Sequence, residues 1–303
     1  LNIHFENVNF SSNSGPNSFA NKLIKYLPNI EGCLIDSNLS PDAHLCFIET
    51  GKPSFEKPMF QRLDGIYFNT AADYNLQNRN INRTYNMADG VIFQSEFNRK
   101  LITKYFGEHK RSTVIHNGAD LATIEKSPVL PFDRYENLWS CAAAWRPHKR
   151  LNENIRYFLE HAGKKDGLMI AGAVSRKDYI KHDRIHYAGN LNQKQLYALY
   201  KRTKYFLHLA WLDHCPNVVV DARACGCQII CSSEGGTQEI AGKDAIVIKE
   251  EEWNFEPVRL YEPPKMNFKN KIENNFNSEL CMTKVSEKYF NFIGGKNNEH
   301  IVL

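Results

Sequence analysis

No apolar run in this chain approaches the roughly 20 residues that span a bilayer, and the first residues lack the basic-then-apolar pattern of a secretory signal. A cytoplasmic protein is therefore expected. A strong excess of charge of either sign is also missing: the net charge is only +4 over 303 residues, and the basic residues are scattered. A dedicated nucleic-acid binder concentrates such residues, so nucleic acid is not expected as a partner. The mild surplus suits an anionic ligand and is equally compatible with weak peripheral association with an acidic membrane. The eight cysteines (Cys33, Cys46, Cys141, Cys215, Cys225, Cys227, Cys231 and Cys281) form no paired framework. Several lie in apolar runs, where a free thiol behaves as a small hydrophobe, so disulfides are not expected. Cys215, Cys225, Cys227 and Cys231 match no zinc spacing. No G-x-G-x-x-G opens either half, which argues against a nicotinamide dehydrogenase. Repeats and low-complexity segments are missing too.

What is present is alternation of strand and helix. "LNIHFENVNF" reads as a first strand and "SSNSGPNS" breaks it. "FANKLIKYL" then sets Phe19, Leu23, Ile24 and Leu27 on one helical face. Further strands are expected in "GCLIDS", "AHLCFIE", "PMFQRLDGIYF", "GVIFQS" and "STVIHN", with a helix in "EFNRKLITKYFG". Two prolines and a polar cluster in "SPVLPFDRYEN" mark the expected domain boundary. Beyond it the alternation is cleaner, from strand "LWSCAAAW" and helix "RLNENIRYFLEHAG" through to strand "AIVIK". Residues 254–277 are rich in Pro, Asn and Lys, and "SELCMTKVSEKYFNFI" reads as a last amphipathic helix. The expected organisation is an N-terminal domain over 1–130, a second over 131–275, and a C-terminal helical segment, 276–303, that can cross back to the first. Regular alternation of this kind predicts α/β architecture: two Rossmann-like, doubly wound domains facing across a cleft, with ligands outside the strand carboxyl ends.

Three stretches of the second half carry chemistry. In "DHCPNVVVDARACGCQIICSSEGGTQEI", Asp213 stands before a helix opened by Pro216, and Asp221 stands on that helix. A helical rise separates them by roughly 10–12 Å, too far for a retaining-glycosidase pair at about 5 Å but suited to the two ends of an extended ligand. The same residues also read as a helix-start residue and a solvated helix charge. Gly235, Gly236 and Thr237 follow a strand and open a helix, where backbone N–H groups can meet an anion. In "AAWRPHKRLNENI", Arg146, His148, Lys149 and Arg150 crowd one strand-to-helix loop, and the cations suit phosphate. The first half offers Ser14 and Gly15 after the first strand, Arg62 and Asp64, and "HNGAD" with His116, Asn117 and Gly118. Asp64 reads equally as an acceptor-side carboxylate or, with Gly65, as a hairpin turn.

Taken in order, these stretches resemble the family-4 retaining glycosyltransferases of GT-B fold, over roughly residues 10–248. The resemblance rests on the small-residue loop after strand one, "ADGVIFQSEFNRKL", "HNGAD", the Arg146…Lys149 loop and "YAGNLNQKQLYALYKRTKYFLHLAW". Its strongest part is carboxylate-x7-carboxylate (Asp213, Asp221) with "ACG" and "EGGTQEI". That family usually has glutamate at both ends of the x7 motif, so each side chain here is one methylene shorter. The Arg-to-Lys spacing is also shorter, leaving Lys149 and Arg150 in competition for one role.

The resemblance implies transfer of a sugar from a nucleotide-sugar donor to the hydroxyl of a saccharide or lipid-linked saccharide, with retention. No cofactor or metal is expected, since the family commonly works without one and no Asp-x-Asp is present. Asp213, Arg146, Lys149 and Asp64 are the implied catalytic set. Asp221, Gly235, Gly236, Thr237, Arg150, Ser14, Gly15, Asn117 and Gly118 are the implied donor-binding set, with Asp64 and the Ser14–Gly15 loop also positioning the acceptor. Competing expectations are a catalytically silent nucleotide-sugar binder, motivated by the double aspartate, and a nucleotide-sugar epimerase on the same scaffold.

Overall fold

The computed structural model describes residues 1–12, 14–35 and 40–295. Asn13, the Asp36 and Ser37 end of the expected second strand, and 296–303 of the expected C-terminal segment lie outside the described residues. The chain divides into two compact units, Leu1–Ala119 with Glu279–Leu303, and Asp120–Ser278. The division falls before the proline-rich stretch rather than within it, and the reason is visible in its hydrogen bonds. Leu130 N donates to Ala198 O at 2.9 Å, and Lys201 Nζ donates to the carbonyls of Ile124, Glu125 and Ser127. That stretch is fastened to the second unit instead of serving as a linker.

In the first unit six parallel strands run β1 (Asn2–Glu6), β2 (Leu34–Ile35), β3 (Ala43–Phe47), β4 (Met59–Leu63), β5 (Gly90–Phe93) and β6 (Ser112–Val114), in sheet order 2-1-3-4-5-6. Alternation along β1 and β3 sends Ile3, Phe5, Leu45 and Phe47 to one face. There they pack with Phe19 and Leu23 of α1 (Gly15–Tyr26) and with Met282, Val285 and Tyr289 of the C-terminal helix Met282–Ile293. The remaining helices are α2 (Tyr74–Met87), capped by Asp73, and α3 (Glu96–Phe106), capped by Ser95. The segment "YNLQNRNINRTYNM" carries so little apolar periodicity that α2 is not legible in the sequence; its buried residues include Asn78 and Thr84 as well as Ile81 and Tyr85.

The second unit holds α4 (Leu121–Lys126), β7 (Leu138–Ala142), α5 (Leu151–His161), β8 (Gly167–Ala171), β9 (Ile185–Gly189), α6 (Gln193–Arg202) and β10 (Thr203–His208). It continues with α7 (Asn217–Ala224), β11 (Gln228–Ser232), α8 (Thr237–Ala241), β12 (Ile246–Ile248) and β13 (Lys271–Ile272); the C-terminal helix above is α9. Sheet order is 13-12-11-10-7-8-9, parallel except for β13. The chain leaves β7 towards β8 and β9, then returns to the other side of β7 as β10, β11 and β12. That reversal is the switch point of a doubly wound sheet, and ligands in such sheets bind outside the strand carboxyl ends there. All eight cysteines are unpaired, and burial pushes the thiols of Cys46 and Cys231 up to about 12. Among the described residues no helix is long and apolar enough to cross a membrane.

Candidate functional site

The loops leaving β7 and β10 meet at the switch point of the second unit. After β7, Pro147–Lys149 makes one tight turn and Arg150 takes a left-handed conformation (φ 54°) before α5 begins. Asn154, buried on the first turn of α5, donates to the carbonyls of Lys149 (3.1 Å) and Arg150 (2.8 Å). Its Oδ1 accepts from Leu209 N at 3.2 Å, and His148 O accepts from Trp211 N at 2.8 Å. Both loops are thereby held in one register before any ligand arrives.

Asp213 is the centre of the arrangement. Its Oδ2 accepts from Lys149 Nζ at 2.5 Å and lies 2.8 Å from His208 Nε2, while Oδ1 accepts from His214 N at 3.0 Å. An ionised carboxylate only accepts, so His208 Nε2 carries the proton. Burial alone would raise the Asp213 carboxyl, but the Lys149 ammonium and the His208 hydrogen bond outweigh it and hold the group well below the usual range. The imidazoles shift the other way. Burial, then the Lys149 charge, brings His148 down to about 3, and burial brings His214 down to about 4 and lowers His208. At neutral pH the cluster thus holds one partly buried anion, one cation paired to it and three neutral rings.

Of the competing basic residues, Lys149 takes the place beside Asp213. Arg150 does not, because its side chain is held elsewhere. Its guanidinium forks onto Glu250 at 2.9 and 2.8 Å, donates to Pro264 O at 2.8 Å, and is 1% exposed. Arg146 is exposed, its guanidinium has no hydrogen bond or ion pair among the described residues, and its charge reaches His148.

The glycine pair also differs from its sequence reading. Gly235 (φ 112°) forms a bridge with Asp213, and a Cβ there would lie 2.7 Å from Asp213 O. Gly236 N donates to that same carbonyl at 2.7 Å. The pair therefore lets β11's exit pack against the backbone of Asp213, and the Gly236 N–H is not open to an anion. Thr237, 1% exposed, opens α8 with a hydroxyl that has no hydrogen-bond partner among the described residues. Asp221 lies on the second turn of α7, 9% exposed, near enough to Tyr197 and Tyr200 of α6 to help raise their hydroxyls.

The remaining implied residues belong to the first unit. Ser14 and Gly15 are exposed at the start of α1. Asp64 is not in a hairpin turn, because β4 and β5 run parallel; its carboxylate pairs with the buried Arg62. Arg62 also donates from Nη2 to Asn117 Oδ1 at 2.6 Å and from Nε to the Tyr289 hydroxyl at 3.0 Å. Asn117 is 2% exposed, and a Cβ on Gly118 would lie 2.8 Å from Met282 Sδ. These two help to hold a helix against a sheet. Sequence reasoning gave no role to His208 or His214. The signal available was a histidine five residues before Asp213 and another directly after it.

Residues 143–254 match the family model described as Glycosyl transferases group 1, a span that holds nearly every group of this cluster. No curated protein matches by sequence. Among solved structures, HepE of Anabaena in complex with UDP-glucose is similar at TM-score 0.62 and 14% identity, over 83% of this chain and 86% of that one. WaaG, a glycosyltransferase involved in lipopolysaccharide biosynthesis, is similar at 0.62 and 9% identity, over 97% and 92%. AviGT4, a glycosyltransferase involved in avilamycin A biosynthesis, is similar at 0.61 and 10% identity, over 97% of each chain. At such identities the likeness is one of fold: two parallel-dominated α/β sheets with covering helices, the GT-B fold.

Proposed function

We propose that the protein is a retaining, family-4-like glycosyltransferase that moves a sugar from a nucleoside-diphosphate sugar to an acceptor hydroxyl without a metal. The observation that carries this reading is the pairing of Lys149 with Asp213 at the switch point, beside the exposed Arg146, inside the span that matches the glycosyltransferase model. The leaving group is a nucleoside diphosphate. Arg146 and Lys149 would neutralise charge developing on its β-phosphate, in a site whose geometry is set before the reaction. Asp213 would hold donor-sugar hydroxyls near the reacting carbon, and Asp221 the ribose. In a front-face reaction the leaving phosphate takes the acceptor proton, so no separate base is needed. Thr237 would offer its unpartnered hydroxyl to the phosphate. Ser14, Gly15 and the Arg62-pinned Asp64 are assigned to the acceptor, a saccharide or lipid-linked saccharide, where positioning lowers the entropic part of the barrier.

HepE's complex with UDP-glucose makes uridine donors the first to test. Thermal-shift screening against a nucleotide-sugar panel should give a raised Tm with one donor class, because a ligand bound only to the native state stabilises it. Diphosphate release should then depend on an added saccharide acceptor. A silent binder is the second reading, favoured by one observation: Lys149, His208 and the His214 amide already occupy both oxygens of Asp213. A Tm shift with no diphosphate release across a broad acceptor panel would establish that reading instead. Sugar conversion without acceptor would mark an epimerase.

A further inference from the structure

We propose that His4, Glu6 and His44 form a binding site for a divalent d-block cation, with zinc the best fit, on the first unit's sheet and separate from the cluster around Asp213. β1 and β3 are paired in parallel with His4 opposite His44 and Glu6 opposite Cys46. Because side chains alternate along a strand, His4, Glu6 and His44 share the face opposite the Ile3–Phe5–Leu45 core. Their ligand atoms all lie within 4.8 Å of one another. His4 Nε2 is 3.3 Å and His44 Nδ1 3.6 Å from Glu6 Oε1. Tetrahedral ligands held at about 2.0–2.1 Å from zinc stand about 3.3 Å apart, so two edges of the tetrahedron are already close to length. The His4–His44 edge is at most 4.8 Å in the metal-free geometry.

Two further observations point to a ligand. His44 Nδ1 is buried and, among the described residues, has no polar neighbour closer than Glu6 Oε1 at 3.6 Å, so its hydrogen-bonding capacity is poorly met. A cation already sits at this spot: the Lys52 ammonium pairs with Glu6 and lies 5.4 Å from the Phe55 ring, which in turn packs on His44 at 4.6 Å. Lys52 is 52% exposed, so its head can move into solvent when a metal takes the carboxylate. Two imidazoles and one carboxylate are a ligand set that zinc accepts, with water in the fourth position. Cys46 is fully buried with its thiol pushed up to about 12, and is left out of the set.

The full chain, stripped with chelator, is titrated with Co2+ as the spectroscopic probe and then with Zn2+ in competition. One equivalent of Co2+ should give visible ligand-field bands, which Zn2+ abolishes, and Zn2+ should raise the Tm. His44→Phe, which keeps a ring against Phe55, and His4→Gln should each weaken binding at least tenfold while leaving the metal-free Tm within a few degrees. Lys52→Met should bind several-fold more tightly, because the competing cation is gone; a plain Glu6–Lys52 ion pair predicts no such gain. Absence of ligand-field bands in both wild type and Lys52→Met, or binding unchanged in His44→Phe and His4→Gln, overturns the proposal. Should His44→Phe fail to fold, the His4→Gln and Lys52→Met results decide it.

Discussion

At the carboxyl end of β4 the cation is Arg62, 1% exposed, with Asp64, Asn117 and the Tyr289 hydroxyl around it and the Phe19 ring 4.3 Å from its guanidinium carbon. At the carboxyl ends of β7 and β10 the cation is Lys149, 19% exposed, bonded to Asp213 and flanked by the exposed Arg146. Both places put an acid–base pair at the edge of a parallel sheet, where doubly wound proteins bind ligands. The first pair is enclosed by side chains from β4, β6's exit and α9, so its charge is consumed in holding those elements together. The second keeps a cation on the water side, and its histidines are neutral, so net positive charge remains for an incoming anion. Motif position alone does not separate a brace from a site; the number of protein partners per charge does.

Removing the enclosed cation should have the largest effect. Arg62→Ala removes the cation paired with Asp64, and a buried pair broken on one side costs about 3–5 kcal/mol. Urea unfolding should show that loss, and a change near zero would mean that the network is decorative. Arg150→Ala should behave alike, through the Glu250 carboxylate it leaves behind. Arg146→Ala, four positions earlier, should leave the unfolding midpoint unchanged and cut turnover roughly 10²–10³-fold, the usual cost of removing one charge-stabilising donor. Equal stability losses for Arg146→Ala and Arg150→Ala would erase the distinction drawn between them.

The two aspartates sharpen the contrast within the second unit. Asp213→Asn removes the charge that anchors Lys149, and turnover should fall roughly 10²-fold or more. Asp221→Asn should lower it by only about tenfold, the worth of one hydrogen bond to a charged group at about 1.5 kcal/mol. Steady-state diphosphate release measures both. The reverse order would mean that the donor lies the other way round, with its sugar at α7.

Much of this is legible in the sequence. The alternation in 138–249 fixes a parallel sheet, because each strand is short, apolar and followed by an amphipathic helix. Asp213, Lys149 and Arg146 could be placed on one sheet edge from the order of elements alone. What could not be read was partner choice. "RPHKR" offers three cations, and only the left-handed turn at Arg150 sends that side chain inward to Glu250 while Lys149 turns to Asp213. Asn117–Gly118 has the composition of a ligand loop, but its packing against Met282 arises from a helix some 160 residues later in the chain. Likewise α2 is held by caps and by Asn78, bonded both ways to Tyr67 at 2.8 and 2.6 Å, rather than by an apolar stripe.

Dependence of stability on pH tests whether the histidines around Asp213 are held neutral in the fold. In the unfolded chain His148 and His214 titrate near 6.5; in the fold they titrate at about 3 and about 4. Between pH 6.5 and about 4 the unfolded chain therefore binds more protons, and stability must fall as pH drops through that window. Asp213 adds to the trend only below its ordinary value of 3.8, where the unfolded carboxyl protonates and the folded one does not. The printed partners of the Arg62 side chain are Asp64, Gln94, Asn117 and Tyr289, so Arg62→Ala should leave this slope untouched. Chemical unfolding at half-unit pH steps should show a midpoint that declines from pH 6.5 to 4, and His148→Gln should flatten the decline. A flat wild-type profile across that window would mean that these rings take up protons in the folded state, and the excess of positive charge at the Lys149–Asp213 edge would then be larger than described.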